Sequence, residues 1–279
     1  MAEKDAKSPN AFVETVKTVV YALLIAGVFR TLFFQPFWIP SGSMKETLLV
    51  GDFLFVNKMA YGYSYASCPS LYMPRFGIDV DAQDICGFLD GENTRIWGGE
   101  PERGDVVVFR HPVSGRDYIK RLIGKPGDTI QMRAGVLWLN GAEVPQEPDG
   151  TFVEEMAPQG PEGRRPRCMN GPVGDGGECR KARAIETLPG GRQYAVLDIA
   201  SQGSDRTSIY TVPEGHYFFI GDNRDNSADS RLSQRVQGVG FVPYENLIGR
   251  ADRIMFSSAG RSMLFIWTWR GDRFFKAVE

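Results

Sequence analysis

The sequence has little of what a metal site needs. It contains two histidines, His111 and His216, among 279 residues, and its four cysteines include no C-x-x-C pair. Zinc sites draw their ligands from such residues at close spacing. A zinc site is therefore not predicted, and no other metal or cofactor is predicted.

An excess of positive charge is also missing. The formal net charge is −2, with 32 Lys and Arg against 34 Asp and Glu. A protein that binds nucleic acid usually presents a basic surface to the phosphates, so no nucleic-acid partner is predicted. The chain also has no internal repeat, and its 32 glycines and 17 prolines fit a turn-rich β protein better than a helical bundle.

The four cysteines fit two disulfides in an oxidising compartment. Cys168 and Cys179 flank a short loop, and Cys68 and Cys86 bracket another irregular stretch. Free thiols remain the alternative, because spacing in the sequence does not prove pairing.

One apolar run near the start is long enough to cross a membrane. The core VVYALLIAGVF occupies residues 19–29, and a reading over residues 18–38 gives the ~20 residues that one tilted helix needs. Arg30 lies in the later half, where a long side chain reaches the interface. The run ends in residues typical of an aromatic belt at a membrane surface: Phe33, Phe34, Phe37 and Trp38.

Lysines before the apolar run predict its orientation. Lys4, Lys7 and Lys17 precede it, and positive flanks stay in the cytoplasm, so the rest of the chain is expected outside. A cleaved signal peptide is the main alternative. A retained anchor is favoured over it, because no small-x-small cleavage site follows the run.

Beyond Pro40 the sequence is typical of short strands separated by turns. Stretches rich in β-branched and aromatic residues predict strands at 52–58, 104–110, 117–124, 135–141 and 215–222. The stretch from 145 to 192 is instead rich in Gly, Pro, Glu and Arg, and is interpreted as part of an inserted, loop-rich subdomain.

The stretch PSGSMKETLLVGD, residues 40–52, carries the first candidate for chemistry. Ser43 follows Ser41 and Gly42 in a loop before a strand, and an ordinary serine turn is the alternative. The pattern is not G-x-S-x-G, because Ser41 stands where the first glycine is required. It is not S-x-x-K, because the residue three positions before Lys45 is Gly42.

Two further stretches carry candidate polar groups. DYIKRLIGKPGD, residues 117–128, places Lys120 in a strand, either solvated or facing apolar neighbours that would lower its pKa. GDNRDNSADSR, residues 221–231, is a dense polar loop. A calcium loop is disfavoured there, because Ser230 and Val236 stand where Gly and Glu are required. RGDVVVFRHP, residues 103–112, predicts a core strand.

Together these stretches favour a serine nucleophile with a lysine base. A serine hydroxyl needs a base, and neither His111 nor His216 has the sequence setting of a triad histidine. The boxes PSGSM, RGDVVVF, YIKR-x-x-G-x-PGD and GDNRDNSADSR, in this order after an apolar span, resemble those of bacterial type I signal peptidases. These are serine peptidases with a Ser–Lys dyad.

The resemblance implies roles for the residues that match these boxes. Ser43 is then the nucleophile, Lys120 the general base, and Ser227 the group that orients the lysine amine. The Ser43 N–H and the Ser41 hydroxyl would stabilise the oxyanion. Supporting ion pairs would come from Asp222, Asp229, Arg231 and Arg121.

The resemblance also implies the substrate. Family members cut exported precursors after small-x-small motifs such as Ala-X-Ala, and the peptide binds as an added strand. The implied pocket nearest the cut is formed by Phe37, Ile39, Pro40, Met44, Leu48, Tyr118 and Ile119. Leu54 and Val108 line the second pocket. Implied partners are signal peptides of exported precursors, membrane lipid and, by proximity, the secretion machinery.

The implied architecture is a mainly β fold behind one transmembrane helix. It has a cytoplasmic tail (1–11), an anchor (12–38), an antiparallel catalytic β domain (39–129 and 214–279) and an inserted cap subdomain (130–213). The catalytic domain lies on the periplasmic side of the inner membrane. The segment 61–99 is an extra insertion without an assigned role, and some family members have two spans where one is visible here.

Other functions stay open at this point. Self-cleaving repressors share a Ser–Lys site but need a DNA-binding helical domain in place of the apolar span. A penicillin-binding protein needs S-x-x-K and K-T-G, which are missing. An anchored β domain that binds a partner, with Ser43 and Lys120 incidental, is the non-enzymatic alternative, and labelling of Ser43 by a serine-reactive probe separates the two.

Overall fold

The computed structural model describes residues 11–69, 71–73, 77–91, 94–160, 162–260 and 263–279. Residues 1–10 of the expected cytoplasmic tail, with Lys4 and Lys7, lie outside the described residues. The side chain of Arg30 lies outside them as well.

Within this part of the chain, strands outnumber helices. The two α-helices are α1 (Ala11–Leu32) and α2 (Ala82–Cys86). The strands in chain order are β1 (Phe34–Trp38), β2 (Asp52–Asn57), β3 (Leu71–Met73), β4 (Ile78–Val80), β5 (Val106–Arg110), β6 (Asp117–Gly124), β7 (Thr129–Arg133), β8 (Val136–Leu139), β9 (Ala142–Glu143), β10 (Gln146–Glu155), β11 (Glu178–Thr187), β12 (Gln193–Asp198), β13 (Tyr210–Thr211), β14 (His216–Ile220), β15 (Val242–Pro243) and β16 (Leu247–Ser257).

The strands form one large sheet and three smaller ones. The seven-stranded sheet has the order β1-β2-β16-β5-β6-β14-β15, and each neighbouring pair is antiparallel. The smaller sheets have the orders β10-β11-β12, β13-β7-β8-β9 and β3-β4. The expectation of a mainly β, antiparallel fold behind one apolar helix is confirmed.

The expected anchor is wrong at its carboxyl end. The helix α1 ends at Leu32, and residues 34–38 form the edge strand β1, paired with β2. Pro36 explains the change, because proline lacks the N–H that a helix interior needs but is tolerated on an edge strand. Three residues of the expected aromatic belt therefore lie in the sheet: Phe34, Phe37 and Trp38.

The centre of the large sheet is its most buried part. In β5, Val106 to Phe109 are all buried, as expected for a strand covered on both faces. In β6 the first residues are exposed or half-buried and the last five are buried. Lys120 is the first of those five, so this lysine stands where the strand enters the core.

The inserted region packs on the large sheet through a shared core. Residues from β7, β8 and β12 form one apolar cluster with Ile123 of β6 and Phe218 of β14. The three-stranded sheet β10-β11-β12 therefore stands beside the strand that carries Lys120. A division of the chain at residues 130 and 213 remains a prediction.

The segment 61–99 is tied down at several points. The Arg95 guanidinium donates to the carbonyl oxygens of Tyr61, Gly62, Tyr244 and Leu247. It also lies 4.4 Å from the centroid of the Tyr244 ring. A disulfide joins Cys68 to Cys86 in this segment, and a second joins Cys168 to Cys179 in the inserted region.

Candidate active site

Ser43 lies in a turn that the apolar core holds in place. The turn follows β1, and the Leu48 N–H donates to the Met44 carbonyl at 2.8 Å. The side chains of Met44 and Leu48 are buried in the cluster beneath the turn. Ser43 itself is 7 % exposed, so its hydroxyl stands at the border between core and solvent.

Lys120 reaches Ser43 from the neighbouring strand. The Lys120 Nζ lies 2.8 Å from the Ser43 Oγ and 2.8 Å from the Ile119 carbonyl oxygen. The lysine is 4 % exposed and its Nζ lies 5.3 Å from the centroid of the Tyr118 ring. The two residues are 77 positions apart in the chain. The fold therefore brings together a hydroxyl and an amine within hydrogen-bond distance.

Burial lowers the pKa of the Lys120 amine from 10.5 to about 8, although Asp229 and Asp222 act in the opposite direction. Removal from water disfavours the charged form of an amine. With a pKa of about 8, roughly 10 % of the amine is neutral at pH 7. This fraction is about 300 times that of an unperturbed lysine, which is what a lysine base requires.

Two buried ion pairs support the polar loop 221–231. The Arg121 guanidinium donates to both Asp222 oxygens at 2.9 and 2.8 Å. The Arg231 guanidinium donates to both Asp229 oxygens at 2.9 Å. Burial by itself would raise the pKa of Asp229, but the Arg231 guanidinium lowers it by more, so the Asp229 pKa lies below its ordinary value. The four residues expected to form supporting pairs are thus paired in the structure.

Asn223 connects this polar loop to the Ser43 turn. Its side-chain Nδ2 donates to the Gly42 carbonyl at 2.8 Å, and its backbone N–H donates to the Ser43 carbonyl at 3.1 Å. These bonds fix the main chain on both sides of the nucleophile candidate. Asn223 is not among the residues predicted from the sequence. Its only signal was its place in a dense polar loop.

The structure does not pair Ser227 with Lys120. The Lys120 amine donates to Ser43 and Ile119, while the buried Ser227 Oγ is directed to the Asp229 carboxylate, whose pKa it lowers. A side chain at Gly221 would collide with the Ser227 hydroxyl and the Ser43 carbonyl. Ser227 is therefore packed against the site, but the expected hydrogen bond to the amine is not formed.

Ser41 lies beside the nucleophile candidate. Its Oγ is 3.4 Å from the Ser43 Oγ. Within the described part of the chain, the Ser43 backbone N–H donates no hydrogen bond. The two groups expected to stabilise an oxyanion, the Ser41 hydroxyl and the Ser43 N–H, therefore lie beside the Ser43 Oγ. The N–H is available to an incoming oxygen.

Most residues expected to bind substrate lie in one apolar cluster below Ser43. The buried members are Ile39, Met44, Leu48, Leu54 and Val108, and Phe37 and Ile119 pack against them. Tyr118 packs against a different cluster, and Pro40 is exposed. A pocket assembled from these side chains has apolar walls.

A second buried network extends beneath Arg121. Its guanidinium carbon lies 4.0 Å from the centroid of the Tyr194 ring. The Tyr194 hydroxyl donates to Glu186, which also accepts a 2.6 Å bond from Arg224. Glu186 and Tyr194 are not among the residues predicted from the sequence, because both lie in strands of the inserted region that carry no recognisable motif.

The site has no group arranged for metal binding within the described residues. No group of three or more His, Cys, Asp or Glu side chains converges there or elsewhere in that part of the chain. His111 is buried against the ring of Tyr118, at 4.6 Å between centroids, and its Nδ1 accepts bonds from the Val113 and Ser114 N–H groups.

Comparison with known proteins gives consistent matches. A family model described as signal peptidase, peptidase S26, matches residues 12–256. Signal peptidase I of Rickettsia typhi is 37 % identical over 267 residues, which cover 92 % of this chain and 85 % of that protein. Signal peptidase I of Rickettsia prowazekii is 38 % identical over 247 residues, covering 85 % of this chain and 78 % of that protein.

A solved structure is also similar. The crystal structure of a signal peptidase I from Enterococcus faecalis shares 26 % identity, covers 54 % of this chain and 96 % of that chain, and has a TM-score of 0.29. The family model and the rickettsial relatives each extend over most of the chain. They confirm the resemblance stated from the sequence. The chain belongs to the signal peptidase family, peptidase S26, and is a peptidase.

Proposed function

We propose that the chain is a membrane-anchored serine endopeptidase that removes signal peptides from exported precursors after small-x-small sites, with Ser43 and Lys120 as its catalytic dyad. One observation carries the proposal. The Lys120 Nζ lies 2.8 Å from the Ser43 Oγ. The amine is 4 % exposed and burial lowers its pKa to about 8.

The reaction follows from this contact. When the Lys120 amine is neutral, its lone pair accepts the proton of the Ser43 hydroxyl while the Oγ attacks the scissile carbonyl carbon. The resulting ammonium returns this proton to the leaving amine as the C–N bond breaks. A water then repeats the sequence on the acyl-enzyme, with Lys120 again as the base. The product carboxylate leaves and the free hydroxyl of Ser43 is restored.

The Ser43 N–H and the Ser41 hydroxyl are the proposed oxyanion donors. The Asn223 bonds to Gly42 and Ser43 support this role, since they fix the main chain that presents the N–H. Preorganised donors of this kind stabilise the charge that develops on the carbonyl oxygen, and removing one typically costs ~3–4 kcal/mol of barrier.

Ser227 is proposed to complete the surroundings of the amine. A neutral lysine amine has two N–H groups and one lone pair. In the proposed reactive state the Ser43 hydroxyl turns to donate to this lone pair and the Ile119 carbonyl accepts one N–H, which leaves one N–H without an acceptor. The buried Ser227 Oγ, beside the Asp229 carboxylate, is an acceptor close to Ser43. A small rearrangement during substrate binding would allow the remaining N–H of Lys120 to donate to the Ser227 Oγ.

The small-x-small preference is supported by the apolar cluster below Ser43. The side chains of Met44, Leu48 and Leu54 are at most 1 % exposed, so little room is left between them. Cores of this kind tolerate added volume poorly, because extra methylene groups force neighbouring side chains from their rotamers. We therefore expect a substrate side chain larger than alanine to be excluded next to the cut.

Membrane anchoring is supported by α1 and by an apolar surface at the end of the chain. Residues 11–28 of α1 have a mean hydropathy of 1.7 and are not buried by the rest of the molecule. Leu264 and Trp267 are 79 % and 76 % exposed. We propose that α1 crosses the inner membrane with its start in the cytoplasm, and that the catalytic domain rests on the lipid of the periplasmic face.

The test is cleavage of a precursor that carries Ala-X-Ala, followed by mass measurement of the new N-terminus. We expect wild type to cut after the second alanine and Ser43→Ala to give no product. Ser114→Ala is the matched control, because Ser114 is an exposed serine in a turn. Equal cleavage by wild type and Ser43→Ala would exclude this dyad. If even wild type gives no product, the proposed cleavage after Ala-X-Ala is excluded.

A further inference from the structure

A polar cavity of about 110 Å³ adjoins the Ser43 turn. Ser41, Gly42 and Asn226 line the side nearest to Ser43. Lys45, Arg164 and Arg165 line other parts of the wall. Among the described residues that line it, three are cations and none carries a carboxylate. The volume is several times what one water needs, so a carboxylate group with its methylene groups can enter.

The buried cation of this cavity is only partly neutralised. Lys45 is 3 % exposed, and its Nζ donates to Glu154 and, at 2.7 Å, to the Gln159 Oε1. Lys181 donates to the same Glu154 carboxylate. Two lysines thus share one carboxylate, which leaves a positive charge at the buried wall of the cavity. A buried charge of this kind is favourable only where an opposite charge is supplied.

The two arginines can turn toward a ligand. Arg164 pairs with Glu162 at 2.6 Å, and Arg165 pairs with Asp175 at 2.7 Å. The arginine side chains are 76 % and 53 % exposed in these pairs. Exposed pairs contribute only about 0–1 kcal/mol, so a ligand carboxylate competes with them readily.

The position of the cavity indicates which part of a substrate it meets. The apolar pocket residues proposed for the side chains before the cut form a cluster below Ser43. The cavity shares only Pro40 with the residues proposed for that pocket, and its wall includes Ser41, whose Oγ is 3.4 Å from the Ser43 Oγ. A peptide that places the side chains before the cut on the apolar cluster would bring the residues after the cut to the Ser41 side of Ser43, where this cavity lies.

We propose that this cavity binds a carboxylate side chain of the substrate, carried by one of the first residues of the mature protein after the cut. The inference rests on the proposed function, because it assumes that a peptide is cut at Ser43. Lys45, Arg164 and Arg165 are then specificity-determining residues, and acidic mature N-termini are processed faster than basic ones. Charge-assisted hydrogen bonds from ammonium and guanidinium groups provide the preference.

The experiment compares precursor peptides in neutral detergent micelles at low salt. All carry the same Ala-X-Ala, and each has Glu, Gln or Lys at the first, second or third position after the cut. We expect kcat/KM at one of these positions to be about tenfold higher for Glu than for Lys, with Gln between them. The preference should shrink at high salt, because screening weakens exposed charges.

Charge reversal provides the matched comparison. In the double variant Arg164→Glu with Arg165→Glu, we expect the preference for Glu to disappear or to reverse. The control Arg206→Glu with Arg235→Glu makes the same change of net charge at two exposed arginines that do not line the cavity, and should keep the preference. Thermal unfolding of both variants is measured to check that each is folded.

The outcomes separate the inference from the proposed function. If no peptide is cut by wild type, the proposed function fails. If all peptides are cut with equal kcat/KM, or if the preference survives in the Arg164 and Arg165 variant, only the inference is overturned. Loss of the preference when phosphatidylglycerol replaces the neutral detergent would also overturn it, since a lipid phosphate would then be the occupant.

Discussion

In the proposed mechanism, burial of Lys120 lowers the stability of the fold and makes the amine a better base. The amine is buried, and its folded pKa of about 8 lies below the unfolded value of 10.5. Above pH 10.5 the amine is neutral in both states and costs nothing. As the pH falls from 10.5 to 8, the unfolded chain gains a proton that the folded chain resists, so the free energy of unfolding decreases. Below pH 8 the loss is complete, at about 3 kcal/mol.

We therefore expect Lys120→Met to be inactive yet more stable than wild type. Methionine has a similar length and no charge to bury, so the free energy of unfolding at pH 7 should rise by about 1–3 kcal/mol, reduced by the lost hydrogen bonds. The gain should vanish above pH 10.5. Urea unfolding at pH 7 and at high pH, with the cleavage assay, measures both effects.

The control for this variant is Lys276→Met, an exposed lysine whose removal should change neither stability nor cleavage. In wild type, kcat/KM should rise with pH up to about 8, because only the neutral amine accepts the proton. A Lys120→Met protein that cuts precursors at the wild-type rate would remove the lysine from the mechanism.

At the scale of an element, the segment between β10 and β11 connects the inserted region to the candidate site. Cys179 stands opposite Glu154 in the β10–β11 pair, and its disulfide partner Cys168 follows Arg167 directly. The Arg167 guanidinium donates to the Asp225 carbonyl at 2.6 Å, in the polar loop that also carries Ser227. The disulfide therefore fixes a segment that contacts the polar loop 221–231 of the candidate site.

We expect the double change Cys168→Ala with Cys179→Ala to impair both stability and cleavage. Closing a loop of about this length contributes roughly 2–3 kcal/mol by restricting the unfolded chain. Release of Arg167 should also lower kcat/KM at a temperature where the variant is folded. Chemical unfolding and the precursor assay measure the two effects separately.

The second disulfide offers a matched control. Cys68→Ala with Cys86→Ala opens a loop of similar length, with a sequence separation of 18 against 11, inside the 61–99 segment. This change should cost comparable stability but leave kcat/KM of the folded enzyme unchanged. An equal loss of activity in both variants would mean that the Cys168–Cys179 disulfide has no special connection to the site.

At the scale of the whole molecule, a continuous path of paired strands and stacked rings links α1 to the apolar surface that carries Leu264 and Trp267. The strand β1 follows α1 directly and pairs with β2. Phe53 of β2 stacks on Phe256 at 4.4 Å, and Phe256 stacks on Trp269 at 5.0 Å between centroids. The exposed Leu264 and Trp267 are close to this stack in the chain. Both apolar features therefore meet the same membrane surface in our proposal.

We expect a chain without residues 1–32 to remain folded but to bind lipid vesicles only weakly, through this surface. Leu264→Ser with Trp267→Ser should reduce that binding about tenfold or more, since each side chain loses apolar area that lipid would cover. Phe88→Ser with Trp97→Ser is the control, because these side chains are 74 % and 83 % exposed in the 61–99 segment. Vesicle sedimentation measures the binding, and equal losses in both variants would contradict the surface.

Several features could be predicted from the sequence because they depend on short stretches of chain. The β-rich class follows from runs such as DFLFVN and DYIKRLIG, and β6 has the predicted bounds. The apolar helix follows from its length and composition. Its end could not be set by hydropathy, which treats Phe34 and Trp38 as membrane residues although Pro36 disfavours a helix there.

The candidate dyad was reached from the sequence by elimination and by resemblance, since each box is local. A local sequence pattern does not determine which distant residues come into contact in the fold. Asn223 bonds to Gly42 across 181 residues, Lys45 shares Glu154 with Lys181, and Glu186 pairs with Arg224. The sequence determined the fold class, the apolar helix and the reactive groups. Only the tertiary structure decided which of these groups are dry, paired or unpartnered, because burial and hydrogen bonding are set by strands that meet far apart along the chain.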